Sequence, residues 1–306
     1  MGVMRCLLVS GSAFLAAGAL TIAGGPAVTA APVSGHRAAP AIRHATRSPG
    51  RQPSARFLAK ARTALVRYLR TANPVITIDG PQPGAPDHLA GTSKDWSYNW
   101  SGYADASNTA GTFSEVGGRW RTPAVLCNSE DQISAQWIGL DGFSSDTVEQ
   151  DGTISWCFEG KATYFTWWEM YPAGSVEVGT TLRPGDVVAA KVARTGTTYR
   201  LTLTDYMDQA NDFSITQTCA ECTDTSAEWI SERPAFPMGV VPLARYGHWS
   251  LDNATVTADG DPGSISSFPG IYQINMMDAT DSYQLSAASP LAAGGTRFAT
   301  RWRNSY

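Results

Sequence analysis

From Trp96 to the C-terminus, apolar and polar residues alternate with period two in short runs: Gly118–Thr122, Ser134–Leu140, Tyr164–Tyr171, Asp186–Ala193, Tyr199–Asp205, Ala227–Glu232 and Gly270–Met276. Clusters of Gly, Pro, Asn, Asp and Ser separate the runs and no long helical pattern intervenes, so the body reads as an all-β sandwich. Alternation also sorts side chains by face. In Tyr164–Tyr171 the residues Phe165, Trp167, Glu169 and Tyr171 project together. In Gln136–Asp141 the set Trp137, Gly139 and Asp141 opposes a core-like set of Gln136, Ile138 and Leu140, and in Ala227–Glu232 the residues Glu228, Ile230 and Glu232 share a side. Three strands therefore each present an acid beside aromatic or small residues.

Upstream the pattern changes. Residues 1–31 start at Met4-Arg5, continue through an apolar run from Leu7 to Ile22 and end in the small residues Val28-Thr29-Ala30-Ala31, the layout of an export signal cut after Ala30 or Ala31. Residues 32–95 are rich in Pro, Ala and Arg. Within them, Phe57, Leu58, Ala61, Leu65 and Leu69 recur at helical spacing among Arg56, Lys60, Arg62, Arg67 and Arg70, which predicts a helix over Ser54–Thr71 that Asn73-Pro74 terminates. The expected organisation is a signal peptide (1–31), a basic pro-segment (32–95) and a β-sandwich domain (96–306).

Charge supports that division. The formal net charge of -4 averages two opposed parts. Before Trp96 there are 11 Lys and Arg against 3 Asp, leaving 12 against 24 acids afterwards. A basic segment ahead of an acidic body suits an inhibitor that pairs with the domain it precedes, and an acidic body repels phosphate, so nucleic acid is not an expected partner. After removal of the signal no segment is apolar enough for a bilayer. The expected product is a secreted, extracellular monomer.

Of the four histidines, His36, His44 and His88 precede the body, which keeps only His248. Histidine-rich metal sites are thereby excluded and neither a metal nor another cofactor is expected; catalysis falls to carboxylates and amides. Setting Cys6 aside with the signal leaves Cys127, Cys157, Cys219 and Cys222, an even number in an exported domain. Four cysteines allow three pairings, and Cys127–Cys157 with Cys219–Cys222 is the expected one. On pattern alone, carboxylates lining a cleft fit a retaining or inverting glycosidase using Glu169 and Glu232, or a lectin-like or peptide-binding groove without catalysis.

The motifs narrow this. Asn99-Trp100-Ser101-Gly102-Tyr103, Trp137-Ile138-Gly139-Leu140-Asp141-Gly142, Val148-Glu149-Gln150-Asp151-Gly152, Trp168-Glu169-Met170-Tyr171-Pro172 and Ala227-Glu228-Trp229-Ile230-Ser231-Glu232-Arg233-Pro234 follow in order along most of the body. In these stretches the chain resembles the glutamic peptidases of the eqolisin family, particularly its bacterial members. The resemblance implies a lectin-like (concanavalin A-type) sandwich of two large antiparallel sheets whose concave face holds a polypeptide substrate. It also implies an acid endopeptidase in which Glu232 and Gln150 are catalytic and Trp137, Asp141, Trp167, Glu169 and Tyr171 line the substrate site. Glu232 would take a proton from water and return it to the leaving amine, while the Gln150 amide, which does not titrate, stabilises the oxyanion; no covalent intermediate forms. Asp151 and Met170 depart from the family pattern, Asp151 as a charge beside the site and Met170 in place of an aromatic contact.

Overall fold

The computed structural model describes residues 54–69, 92–236 and 239–306. The signal peptide and most of the pro-segment lie outside these residues. One helix, α1 (Ala55–Leu69), precedes the strands. Ser54 caps it: the Ser54 hydroxyl accepts from the Phe57 amide at 3.3 Å, and the Ser54 carbonyl takes the Leu58 amide. Among the described residues no helix is long and apolar enough to cross a membrane.

The strands are β1 (Thr92–Ser97), β2 (Trp100–Ala106), β3 (Phe113–Arg121), β4 (Gln132–Leu140), β5 (Val148–Phe158), β6 (Lys161–Tyr171), β7 (Val176–Glu177), β8 (Val187–Thr195) and β9 (Thr198–Asp205). They continue as β10 (Phe213–Thr218), β11 (Ser226–Glu232), β12 (Ala235–Phe236), β13 (Gly239–Val240), β14 (His248–Ala258), β15 (Asp261–Gly263), β16 (Ile271–Met277), β17 (Gln284–Ala288) and β18 (Phe298–Trp302). One hydrogen-bonded path runs β10-β9-β8-β3-β14-β18-β17-β16-β2-β11-β4-β5-β6-β7. Every pairing along it is antiparallel; β1 adds parallel to β16. The path turns over at β17 and β18, so that β3, β8 and β9 pack on β4, β5 and β11 as a second layer. This is the β-rich sandwich expected from the alternation. The first described strand, β1, opens with the polar run Thr-Ser-Lys-Asp at Thr92.

The two faces of β4, β5, β6 and β11 bury different clusters. Ile138, Leu140, Trp229, Cys157 and Tyr164 face the other layer and pack with Trp120, Val188, Val192, Leu201, Leu203 and Trp249. Trp100, Trp137, Ile154, Phe158, Phe165, Trp167 and Ile230 form a separate cluster on the opposite face, and Ala61 of α1 is buried within it, with Phe57 and Ala64 alongside. At 0% exposure, Ala61 shows that the helix seats on this face. Phe57 stacks on Phe158 at 5.9 Å between ring centroids, Lys161 lies over the Phe57 ring, Lys60 pairs with Glu159, and Arg62 Nε stands 3.3 Å from Glu177. The disulfides Cys127–Cys157 and Cys219–Cys222 are those expected.

Asp151 and Gly152 lie in the middle of β5, in which all positions are buried. His248 is exposed at the start of β14.

Candidate active site

The groove face can be read across the strands, because directly paired residues point to one side of a sheet. One row holds Glu232, Ala135, Ile154 and Phe165; the next Ile230, Trp137, Gly152, Trp167 and Glu177; the third Glu228, Gly139, Gln150 and Glu169. Glycine is required twice. A Cβ on Gly152 would lie 2.2 Å from the Gln136 carbonyl oxygen and 2.8 Å from Trp137 Cα, and one on Gly139 would press on the Trp137 ring and on Gln150 at 3.1 Å. The missing side chains leave room for the Trp137 indole, which packs edge-on against Trp100 with centroids 5.0 Å apart.

That indole is a hydrogen-bond donor at the site. Trp137 Nε1 donates to Glu232 Oε2 at 2.7 Å, and Asn99 Nδ2 approaches Glu232 Oε1 at 3.5 Å. Burial pushes the Glu232 carboxyl up to about 7, against the downward pull of the Trp137, Asn99 and Trp100 donors. Trp137 and Trp100, which border Glu232, belong to the aromatic cluster packed on this face.

Gln150 Nε2 donates to Glu169 Oε2 at 2.7 Å, and Ser175 Oγ donates to Glu169 Oε1 at 2.7 Å. Burial likewise raises Glu169 to about 7, opposed by the Ser175 bond and reinforced by the negative charge of Glu232. The two glutamates are therefore close enough to sense each other's charge. Gln150 Oε1 is buried and accepts no hydrogen bond from the described residues. One carboxyl held by an indole, a second held by an amide and a hydroxyl, and an unfilled carbonyl oxygen make a site that can bind, deprotonate and reprotonate a water molecule.

The structure thus gathers Gln150, Glu232, Glu169, Trp137 and Trp167 on one face, with the half-buried Tyr171 at the end of the same side of β6. Asp141 goes elsewhere. With φ at 63° it swings the chain out of β4, and its carboxylate accepts from the amides of Thr223, Asp224 and Thr225 and from the hydroxyls of Thr147, Thr223 and Thr225. It fastens the loop that leads into β11 and so supports the strand carrying Glu232. Asp151 and Met170 also leave the groove, since both belong to the face between the layers. Asp151 is fully buried and burial holds its pKa well above the usual range, so it is neutral and adds no charge to the site. Met170 packs against the interlayer core and is not a groove contact.

Asn99 and Ser175 are site residues that sequence reasoning missed. Asn99 lies inside the first quoted motif without being assigned a role there, and it is 1% exposed in the fold. Ser175 lies beyond the cis Tyr171–Pro172 bond and no pattern marks it. Among the described residues, carboxylates of Asp141, Glu149 and Asp224 approach within 4.8 Å of one another. Asp141 is saturated by six donors and Asp224 is engaged by Tyr199 and Arg194, so the cluster is a hydrogen-bonded carboxyl group and not an open cation site.

The profile of the Peptidase A4 family matches residues 98–290. Aspergillopepsin-2 of Aspergillus niger is 24% identical over 195 residues, spanning 55% of this chain and 67% of that protein. Scytalido-glutamic peptidase, solved with a transition state analog inhibitor, superposes with a TM-score of 0.56 at 21% identity, over 67% of this chain and 98% of that one. SCP-B, a member of the eqolisin family solved in complex with the tripeptide Ala-Ile-His, gives 0.53 at 19% identity over the same shares. These superpositions show a shared β-sandwich fold.

Proposed function

The chain belongs to the Peptidase A4 family of glutamic-type peptidases, the eqolisins, and on that premise we propose that it is a secreted acid endopeptidase made as a zymogen. Glu232 is the base that takes a proton from water and the acid that returns it to the leaving amine. Gln150 supplies one amide N–H to the oxyanion while its carbonyl oxygen orients the water. Glu169 holds Gln150 in place, and Trp137 with Trp167 lines the groove. Loss of the Gln150 donor would cost ~3 kcal/mol of transition-state stabilisation. The observation that carries this reading is the joining of Glu232 to Trp137 and of Gln150 to Glu169 on one groove face, at 2.7 Å each.

Residues 1–31 are the signal and 32–95 the inhibitory pro-segment, ahead of the catalytic sandwich. The seat of α1 on the groove face supports that role. With this face closed, burial keeps Glu232 and Glu169 protonated below about pH 7, so no base is available. The charges between helix and sheet are Lys60 and Arg62 on one side and Glu159, Glu177 and Lys161 on the other. Acidification protonates Glu177, whose pKa burial raises to about 7, and dissolves its pair with Arg62. The helix then loosens, water enters, and Glu232 falls toward the ordinary glutamate range, where it ionises in mild acid.

The test is to acidify the full chain to pH 3–4 and follow both self-cleavage between Leu69 and Thr92 and hydrolysis of an unfolded protein. Glu232→Gln and Gln150→Ala should fold and lose nearly all activity. Full activity in either removes the dyad, and an inactive unmodified chain at every acidic pH favours a peptide-binding sandwich.

A further inference from the structure

Glu177 is a buried acid with no part in the proposed chemistry. It pairs with Trp167, so its side chain points into the groove, and it is the diagonal neighbour of Glu169, with Cα atoms about 7–8 Å apart at standard sheet spacing. Ser175, two residues earlier, donates to Glu169. One short segment therefore touches the candidate active site with one residue and borders it with another. The Glu177 side chain is 1% exposed, and neither of its oxygens accepts a hydrogen bond. Its partner is the guanidinium of Arg62, 3.3 Å away.

The helix that brings Arg62 is, on the reading above, removed before turnover. Its departure leaves a carboxylate without a counter-ion on the groove wall, beside the aromatic face of Trp167. We propose that Glu177 is a specificity-determining residue of the peptidase: it binds a lysine or arginine side chain of the substrate in the place that Arg62 fills beforehand. The proposal rests on the peptidase reading and deepens it. A long cationic side chain fits such a site because its methylenes lie on the indole while its head meets the carboxylate. Once the helix leaves, water reaches Glu177, which then ionises in mild acid.

The experiment acidifies the full chain to pH 3, returns it to pH 5 and supplies a peptide mixture from an unfolded proteome, with cut sites mapped by mass spectrometry. Lys and Arg should be enriched about fivefold at one position within four residues of the cut. Glu177→Gln, which keeps the side-chain shape, should abolish the enrichment, and Glu177→Lys should turn it into a preference for Asp and Glu. Enrichment that survives Glu177→Gln, or its absence in the unmodified chain, overturns the assignment and leaves the peptidase reading standing. If nothing is cut, the peptidase reading fails. Retention of the same mixture on the immobilised Glu232→Gln/Arg62→Ala chain at pH 5, in which the competing guanidinium is gone, then decides: Lys- and Arg-containing peptides held only while Glu177 is present support the site, and indifferent retention refutes it.

Discussion

Replacing Trp137 with Phe tests how the groove sets the proton affinity of its base. The substitution keeps an aromatic ring against Trp100 and removes the N–H that donates to Glu232 Oε2 at 2.7 Å. A hydrogen bond to a charged group is worth ~1.5–3 kcal/mol, and one pH unit corresponds to ~1.4 kcal/mol. The bond favours the ionised form, so its loss raises the pKa of Glu232. The acid limb of the kcat/KM profile should move upward by about one to two pH units, and activity at a fixed pH below the limb should fall roughly ten- to a hundredfold. The assay is hydrolysis of an internally quenched peptide from pH 2 to 7, with thermal unfolding measured alongside, because the smaller ring also lowers stability. A drop in amplitude reports lost folded protein, whereas a displaced limb reports the carboxyl group. An acid limb that coincides with that of the unmodified chain would refute the reasoning.

Three further outcomes are expected. Glu149, Glu169, Glu177 and Glu232, raised to about 9, 7, 7 and 7, and the fully buried Asp105 and Asp151 are protonated in the fold and ionise near ~4 when unfolded. Their stabilisation is complete below pH ~4 and is lost as pH rises through those folded values, so urea denaturation should show a more stable protein at pH 4 than at pH 8; Asp105→Asn should narrow the gap, and a flat profile would oppose it. Gly152→Ala places a methyl group 2.2 Å from the Gln136 carbonyl and should cost about 1–3 kcal/mol with loss of activity, read by calorimetry and peptide hydrolysis. Cys127→Ser/Cys157→Ser opens a link with a sequence separation of 30 and should cost about 3–4 kcal/mol, roughly twice the effect of opening Cys219–Cys222, whose separation is 3.

What the sequence revealed depended on how far local rules governed each segment. The helix expected at Ser54–Thr71 is α1 at Ala55–Leu69, because an apolar stripe and a serine cap act locally. The shared face of Phe165, Trp167, Glu169 and Tyr171 was legible from alternation, since a strand's pleat fixes it. β5 was not legible: its interlayer face carries Glu149, Asp151, Thr153 and Ser155, polar residues that resemble a turn and are tolerated because protonation and burial between two layers neutralise the acids. Strand parity grouped Asp141 with Trp137 and the family resemblance put it at the substrate site, but parity fails where φ turns positive. Asn99 escaped because its partner Glu232 is far away in sequence, and Ser175 and Glu177 escaped because the short segment after Pro172 has no alternating run to mark it.

The way α1 is attached determines how its removal scales with concentration. Twenty-two residues join Leu69 to Thr92, and Thr92 opens a strand paired to β16 from its first residue. A cut anywhere in that stretch severs the helix from the body and takes no described strand from the sheet. While joined, the helix acts at an effective concentration on the order of millimolar. Once cut, it rebinds only at its bulk concentration, about a thousandfold lower in a micromolar solution. On the proposed zymogen reading, a single hydrolysis event turns an intramolecular plug into a competitor that dilution alone removes, and export into a large volume would complete what acid begins.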